Sequence, residues 1–311
     1  MKKKILVTGA DGLVGCSLKR ASANFPQYDF VFAGRKQADL TSRDEVNDLF
    51  VSVEPNYVIH TAAKVGGIGG NMAGHADFFH QNILINANVL DACRGVKAEK
   101  VLAFSSVCVF PEDLEVLQED KMHDGPPYGA NFSYAHSKRM VDIHIQALKS
   151  QYKVKNYCSV IPGNIFGPAD MYNLEGGHVI PSLIHKMYLA KQNGGDLKVW
   201  GDGRALREFI YVDDLTDVLM HLIGMDEIPD RLLVSGTEQL SIRHMVDYLV
   251  EAADFKGKVV YDPDQPNGQG SRKSDTSRVS SICPGFQKTP VKEGVRKSYS
   301  WFETNFDNAR K

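Results

Sequence analysis

The sequence predicts an α/β fold, a doubly wound parallel sheet with a smaller C-terminal α/β lobe, and three observations support it. Short β-branched and aromatic runs alternate with longer amphipathic ones through the first half. The first of those runs ends in a glycine-rich turn. After Pro162 the alternation loosens into pieces separated by Gly- and Asp-rich loops. A chain of 311 residues, 43% hydrophobic, can fill one large core and a second, smaller one.

The elements follow in chain order. Runs at 4–8, 29–33, 57–61 and 101–105 are short, apolar and closed by Gly, Ser or charged residues, as parallel strands buried on both faces should be. Between them fall helices. One is opened by Ser42 with Glu45 three residues on, the spacing of a capping box, and another centres on 78–93. The run 134–152 reads as a long helix, and 155–161 returns to strand character. Beyond it a helix at 180–192, a strand at 197–200, a helix after Val212 and another near 242–253 make up the second lobe. No repeat, low-complexity tract or long linker interrupts the chain, so the two lobes should pack closely and share a cleft.

Composition removes several function classes. The 36 basic and 38 acidic residues are intermixed, and the net charge of -2 provides no field for nucleic acid or an anionic membrane. Lys2, Lys3 and Lys4 precede only Ile5, Leu6 and Val7 before Thr8 and Gly9, too short a run for a signal peptide. No later stretch reaches the roughly 18 apolar residues of a membrane span. The five cysteines are scattered and lack any Cys-x-x-Cys pair, which argues against a disulfide framework and against a metal site. The expectation is a soluble, cytoplasmic protein without a metal.

Chemistry enters at Gly9-Ala10-Asp11-Gly12-Leu13-Val14-Gly15, where the first strand meets the first helix. Glycines there permit a tight turn and let backbone N–H groups and the helix N-terminus approach a pyrophosphate. The sheet is therefore expected to be Rossmann-like. Residues 1–165 form its dinucleotide-binding domain and 166–311 are mainly a substrate-binding lobe, with chain around 205–235 returning to the first domain. A residue some 20 positions past the glycines distinguishes the two nicotinamide cofactors: an acid suits the ribose of NAD, a cation the 2′-phosphate of NADP. Arg35 and Lys36 stand there, so NADP(H) is expected, with Asp39 and Leu40 placed to line the adenine. Asp11, a carboxylate in the glycine loop, would oppose the phosphate, and the two cations must outweigh it.

Tyr134 and Lys138 lie four apart on a predicted helix and so share a face. An ammonium beside a phenol lowers the phenol's pKa and fits it to exchange a proton with a carbonyl oxygen. The strand ending in Ser105-Ser106 offers a hydroxyl for that same oxygen.

Longer motifs point to one family. They are Ala62-Ala63-Lys64-Val65-Gly66-Gly67-Ile68, Ser106-Val107-Cys108-Val109-Phe110-Pro111, Pro162-Gly163-Asn164-Ile165-Phe166-Gly167-Pro168 and Gly177-His178-Val179-Ile180-Pro181. Val199-Trp200-Gly201, Arg207-Glu208-Phe209-Ile210 and Val212-Asp213-Asp214 extend the likeness over nearly the whole chain. With these motifs the sequence resembles the GDP-L-fucose synthase family of extended short-chain dehydrogenase/reductases, which epimerise and then reduce GDP-4-keto-6-deoxy-D-mannose.

The resemblance implies that Cys108 is the base and His178 the acid of a 3,5-epimerisation, with Ser106, Tyr134 and Lys138 serving reduction at sugar C4. By the same resemblance Ala62, Ala63, Lys64, Ser105, Pro162, Asn164, Ile165 and His178 join the glycine loop around NADP(H). The substrate is met by Ser106, Val107, Cys108, Asn164, His178, Val179, Lys186, Trp200, Arg207, Asn267 and Lys273. Many relatives hold an acidic residue where Asn267 stands. Relatives also dimerise through the helix bearing the Tyr–Lys pair, where Met140, Ile143, Ile145 and Leu148 can face either a second copy or the core.

Taken singly, these residues have plainer readings: Cys108 as a small buried hydrophobe, His178 as a helix cap and Trp200 as a strand aromatic in the core. Two other functions stay open at this level. One is a related reductase or epimerase acting on a different 4-keto sugar nucleotide, and the other is a cofactor-binding protein without catalysis.

Overall fold

The structure, a computed structural model, describes residues 2–174, 177–264 and 271–311. The N-terminal half runs β1 (Lys3–Thr8), α1 (Leu13–Ala21), β2 (Tyr28–Ala33), α2 (Arg43–Val53), β3 (Tyr57–His60), α3 (Ile68–Ala73), α4 (His75–Gly95) and β4 (Lys100–Phe104). The middle adds β5 (Val116–Leu117), α5 (Phe132–Tyr152), β6 (Asn156–Pro162), β7 (Asn164–Phe166), α6 (Val179–Asn193), β8 (Leu197–Trp200) and β9 (Leu206–Tyr211). The rest comprises α7 (Val212–Gly224), β10 (Arg231–Val234), β11 (Gln239–Ser241), α8 (Ile242–Ala253), β12 (Val259–Asp262), β13 (Lys273–Ser274), α9 (Ser277–Ile282) and α10 (Val291–Thr304).

Six strands form one Rossmann-like parallel sheet in the order β10-β6-β4-β3-β1-β2. Side chains alternate across it. Ile5 and Val7 join Leu102, Cys158 and Val160 beneath helices α1 and α7, while Leu6 joins Val58, Val101 and Ala103 beneath α2, α4 and α5. Both faces are therefore covered, which is why the strands read as unbroken apolar runs. Strand β1 has β2 on one flank and β3 on the other, so sheet growth reverses there and a crevice opens beyond its C-terminal end.

The smaller lobe is built on a three-stranded sheet, β11-β9-β7, and a parallel pair, β12-β8. Helices α6, α8 and α10 close it around Leu183, Met187, Val199, Val246, Tyr299 and Phe302. Within the stretch around 205–235, β9 belongs to this lobe, and α7 with β10 returns to the main sheet. Helix α9 returns as well, burying Val279 in the main core. A short parallel pair, β13-β5, ties the C-terminal chain to the segment that follows Cys108.

The capping box expected at α2 is half formed. Ser42 accepts from the Glu45 N–H at 3.4 Å, but the Glu45 carboxylate accepts from the Asp39 N–H (2.8 Å) instead of from Ser42. Of the α5 residues with two possible fates, Ile145 and Leu148 are core and Met140 and Ile143 are exposed. No helix of the described residues is long and apolar enough to cross a membrane, and no metal-binding group of side chains occurs among them.

One ion pair fixes α5 to the sheet edge. Asp142 on α5 is 1% exposed and takes both Nε (2.7 Å) and Nη2 (2.9 Å) of Arg231 on β10, with His123 Nε2 at 2.8 Å. Removing one member strands the other's charge in a largely dry site. Asp142→Ala is expected to lower unfolding free energy by about 3 kcal/mol in a urea titration. A loss under about 0.5 kcal/mol would show that Arg231 finds water instead.

Candidate active site

Gly9 turns the chain from β1 with φ +75°. A Cβ there would lie 2.7 Å from the Ala62 nitrogen, and one on Gly15 would lie 2.4 Å from the Gly9 oxygen. Glycine is what lets the turn press against the exit of β3. Gly12 donates to the Gly9 oxygen (2.9 Å) and is the N-cap of α1 with no side chain capping it and no acid in the first turn. The helix thus presents backbone donors and its positive pole to the crevice, a cradle that fits a pyrophosphate. Val14 is buried and Leu13 half-buried against the core, so their contribution here is backbone.

The end of β2 forms the far wall. The Asp11 carboxylate lies over Gly34, where a Cβ would come within 2.0 Å of Oδ2. Arg35 and Lys36 follow Gly34 directly in the chain, and both are exposed. Asp39 spends its side chain locally: Oδ1 accepts from the Thr41 N–H (2.9 Å) and hydroxyl (2.8 Å), bonds that hold its carboxyl below the ordinary range. Leu40 is half-buried toward the α2–α4 core.

Across the crevice Ala62, Ala63 and Lys64 leave β3. Buried Asn82 of α4 clamps Lys64 by exchanging both backbone hydrogen bonds at 3.0 Å. The Lys64 ammonium lies 3.7 Å from Asp77. Beneath them Thr8 Oγ1 meets His60 Nδ1 (2.7 Å), and His60 Nε2 meets Asn86 Oδ1 (3.1 Å). Burial, with the nearby Lys138 charge, pushes the His60 imidazole down to about 3.

The candidate catalytic side chains Ser106, Cys108 and Tyr134 gather where β4 ends. Ser105 is buried and its hydroxyl donates to the Lys138 carbonyl (3.1 Å), so it braces α5. Ser106 is the open hydroxyl: it starts a single 3₁₀ turn over Val107–Val109, and its Oγ accepts from the Cys108 N–H at 3.3 Å. Val107 and Cys108 are half-buried on that turn. Buried Arg139 pins the turn to α5, its Nε donating to the Val109 carbonyl at 2.6 Å. The Tyr134 ring rests edge-on against Phe78.

The expected lowering of the tyrosine does not occur in this arrangement. Burial pushes the Tyr134 phenol up, the neighbouring Cys108 adds to the rise, and a hydrogen bond with Ser106 opposes it. Lys138 is only 2% exposed, donates to the Phe104 carbonyl at 2.8 Å, and is pushed down by burial to about 7. Desolvation outweighs the stabilisation that an ammonium would lend a phenolate. The phenol is held in its protonated form.

The other wall comes from the small lobe. Pro162 is buried at the end of β6, and Ile165 is half-buried. Exposed Asn164 is braced through its Nδ2 to the Glu208 carbonyl (2.8 Å). His178 sits at the N-cap of α6 but its side chain makes no cap, and Val179 beside it is exposed. Trp200 is 51% exposed, with the Lys186 ammonium 4.7 Å from its ring centroid, so it is not the core aromatic a strand would suggest. Burial lowers the Arg207 guanidinium from its ordinary range, and the nearby Arg272 charge lowers it further, so the two cations lie close together.

Arg272 falls inside the 267–273 loop that the resemblance assigns to the nucleotide half of the substrate, although only the ends of that loop, Asn267 and Lys273, were named. It donates to the Pro111 carbonyl (3.1 Å), and its charge and that of Cys108 interact. Lys273, which was singled out, is exposed; along an extended strand successive side chains face opposite ways, so it points away from Arg272. That alternation within Ser271-Arg272-Lys273-Ser274 was the available signal. Asn267 lies outside the described residues.

With this geometry in hand, residues 5–234 match the NAD dependent epimerase/dehydratase family. The chain is 38% identical over 315 residues to a GDP-L-fucose synthase of Dictyostelium discoideum, covering 100% of this chain and 98% of that one. It is 28% identical to a GDP-L-colitose synthase of Yersinia pseudotuberculosis, covering 98% and 99%. A crystal structure of a Naegleria fowleri GDP-L-fucose synthetase bound to NADP superposes with a TM-score of 0.93 at 34% identity, covering 99% and 95%.

Gly9→Ala places a Cβ against Ala62 in a left-handed turn. It is expected to weaken NADPH binding at least about tenfold by fluorescence titration while far-UV circular dichroism is kept. His60 gives a pH test. Its folded-state pKa lies below the unfolded 6.5, so the unfolded chain binds the extra proton between pH 6.5 and about 3, and stability is lost as pH falls through that window. In His60→Gln the urea-derived stability is expected to fall less steeply there, by about 1.4 kcal/mol per pH unit. Parallel curves would mean that His60 is protonated in the fold.

Proposed function

The chain belongs to the NAD dependent epimerase/dehydratase family, and from that membership and the site geometry we propose the following reaction and residue roles. The protein converts GDP-4-dehydro-6-deoxy-D-mannose to GDP-L-fucose by 3,5-epimerisation and then NADPH-dependent reduction at C4. The observation behind this reading is that full-length relatedness to GDP-L-fucose synthases coincides with Ser106, Cys108 and Tyr134 gathered past the end of β4, Lys138 one turn along α5 and His178 opening α6.

The C4 ketone acidifies hydrogens on C3 and C5. Cys108 removes one, leaving an enolate whose oxygen is held by the Ser106 and Tyr134 hydroxyls, and His178 returns a proton to carbon from the opposite face. Repetition at the second carbon inverts both centres. NADPH, when bound, supplies the hydride for C4. Tyr134 donates its proton to the C4 oxygen, and Lys138 beneath it stabilises the phenolate that remains. Arg207 and Arg272 together suit the diphosphate, and the exposed face of Trp200 suits a base or sugar ring. The glycine cradle with Arg35 and Lys36 takes the cofactor. Residues 1–165 form its domain and 166–311 mainly the substrate lobe.

A second reading, another GDP-4-keto-sugar reductase, is favoured by the colitose-synthase relative. Simple reduction needs only Ser106, Tyr134 and Lys138, and the presence of both Cys108 and His178 favours the bifunctional reaction. The protein acts in the cytoplasm as a homodimer, with the exposed Met140 and Ile143 of α5 meeting a second copy.

The deciding experiment is NMR of the sugar product formed in heavy water. Wild type should give GDP-L-fucose with deuterium at C3 and C5. Cys108→Ser and His178→Gln should lose exchange by about 10²-fold or more. Tyr134→Phe should lose NADPH oxidation. Reduction without deuterium at either carbon would leave a plain reductase.

A further inference from the structure

Asp170 lies in the segment that joins β7 to α6, ahead of His178, and is 4% exposed. One carboxylate oxygen accepts from the Met171 N–H at 2.7 Å. The other, Oδ2, is buried with no hydrogen-bond partner. Proteins keep few such atoms, because an unpartnered carboxylate oxygen forfeits its hydration without return. Burial pushes the Asp170 carboxyl above the usual carboxylate range, and the largest opposing influence is His178, ahead of Arg310.

The segment around it is held firmly. Ala169 is in the left-handed region (φ +68°), and its carbonyl accepts from Arg310 Nη2 at 2.7 Å. The Tyr172 N–H donates to the Arg310 carbonyl (2.7 Å), its ring packs 4.3 Å from Phe302, and its carbonyl meets His185 Nδ1 at 2.6 Å. A non-glycine residue stays in that conformation only where its surroundings fix it. The His178 imidazole, in contrast, is exposed and caps nothing. A fixed, buried acceptor with one oxygen unspent therefore lies within electrostatic reach of a ring with nothing to orient it, and no hydrogen bond joins the two in this structure.

We infer that Asp170 is a positioning residue for His178: when the ring turns toward it, Oδ2 accepts one ring N–H and so fixes the tautomer and the direction of the other nitrogen toward the sugar. This rests on the reading of His178 as the epimerisation acid. An imidazole that must return a proton to one face of a carbon works only while its orientation and tautomer are set, and a carboxylate is the usual means. The rival role for Asp170 is as counter-charge to Arg310, and the two roles predict different outcomes.

Deuterium exchange at C3 and C5 with NADPH and GDP-4-keto-6-deoxymannose separates them. Asp170→Asn is expected to lower exchange at least tenfold, as His178→Gln does, with the KM for NADPH unchanged, while Arg310→Gln keeps exchange within about threefold. Wild-type exchange in Asp170→Asn alongside its loss in His178→Gln would overturn the inference and leave the epimerase reading intact. Equal losses in Asp170→Asn and Arg310→Gln would assign Asp170 to Arg310. Wild-type exchange in His178→Gln would remove the acid assignment itself, and this inference with it. Should Asp170→Asn fail to fold, the unsubstituted protein decides: nitrogen-15 histidine spectra are expected to show the His178 ring in one tautomer, and a ring averaging between both would overturn the inference.

Discussion

The site depends on a buried cation. Lys138 donates to the Phe104 carbonyl, and Ser105 donates back to the Lys138 carbonyl, so α5 is stitched to the end of β4 by two bonds in opposite directions. That junction fixes the distance from Tyr134 on the helix to Ser106 and Cys108 just past the strand. So dry a place constrains every charge in it: burial drives Lys138 toward neutrality, and burial first, with the Lys138 charge second, keeps His60 beneath it uncharged. The Thr8–His60–Asn86 chain lets that neutral ring satisfy its nitrogens while supporting the strand that ends in the glycine turn. Cofactor cradle and catalytic helix therefore share one electrostatic foundation.

A second staple holds the substrate side. Glu208 is buried on β9 and accepts from the Ser274 N–H and the Ser235 hydroxyl, while its own carbonyl holds Asn164. One residue thus joins β7, the exit of β10 and β13, three segments far apart in sequence. Because β13 also pairs with β5, the chain bearing Arg272 is brought to the turn that bears Cys108.

Much of this was legible beforehand because it obeys local rules. The alternating runs, the glycine turn and the four-residue spacing of Tyr134 and Lys138 each express a periodicity or a steric demand that a few neighbouring residues settle. The environment of a titrating group does not. Nothing near Tyr134 in sequence announces that its phenol would be pushed up, since the cause is burial among Phe78, Cys108 and Ser106, each brought from elsewhere. Within the 267–273 loop Arg272 was not told apart from Lys273 for a similar reason: the choice between them is a choice of strand face, and β13 pairs with a strand more than a hundred residues away. The half-formed capping box shows the same limit on a small scale, with Glu45 drawn to Asp39 by a turn that the Ser-x-x-Glu spacing does not encode.

The epimerase reading makes a demand on the architecture that reduction alone would not. Inverting a carbon needs a base and an acid on opposite faces of the sugar, and here the thiol follows β4 of the main sheet while the imidazole opens α6 of the small lobe. The two faces are thus set by how the lobes meet. At that meeting the backbone leaves no freedom. A Cβ on Gly163 would lie 2.4 Å from the Ser235 hydroxyl, and one on Gly167 would lie 2.4 Å from a Val212 methyl. Segments that cross this closely leave no room for a side chain at either glycine, so the chain that runs from β6 toward α6 is packed directly against the main domain before it reaches His178. The imidazole itself makes no capping bond, and an acceptor that orients it would complete what the packing begins.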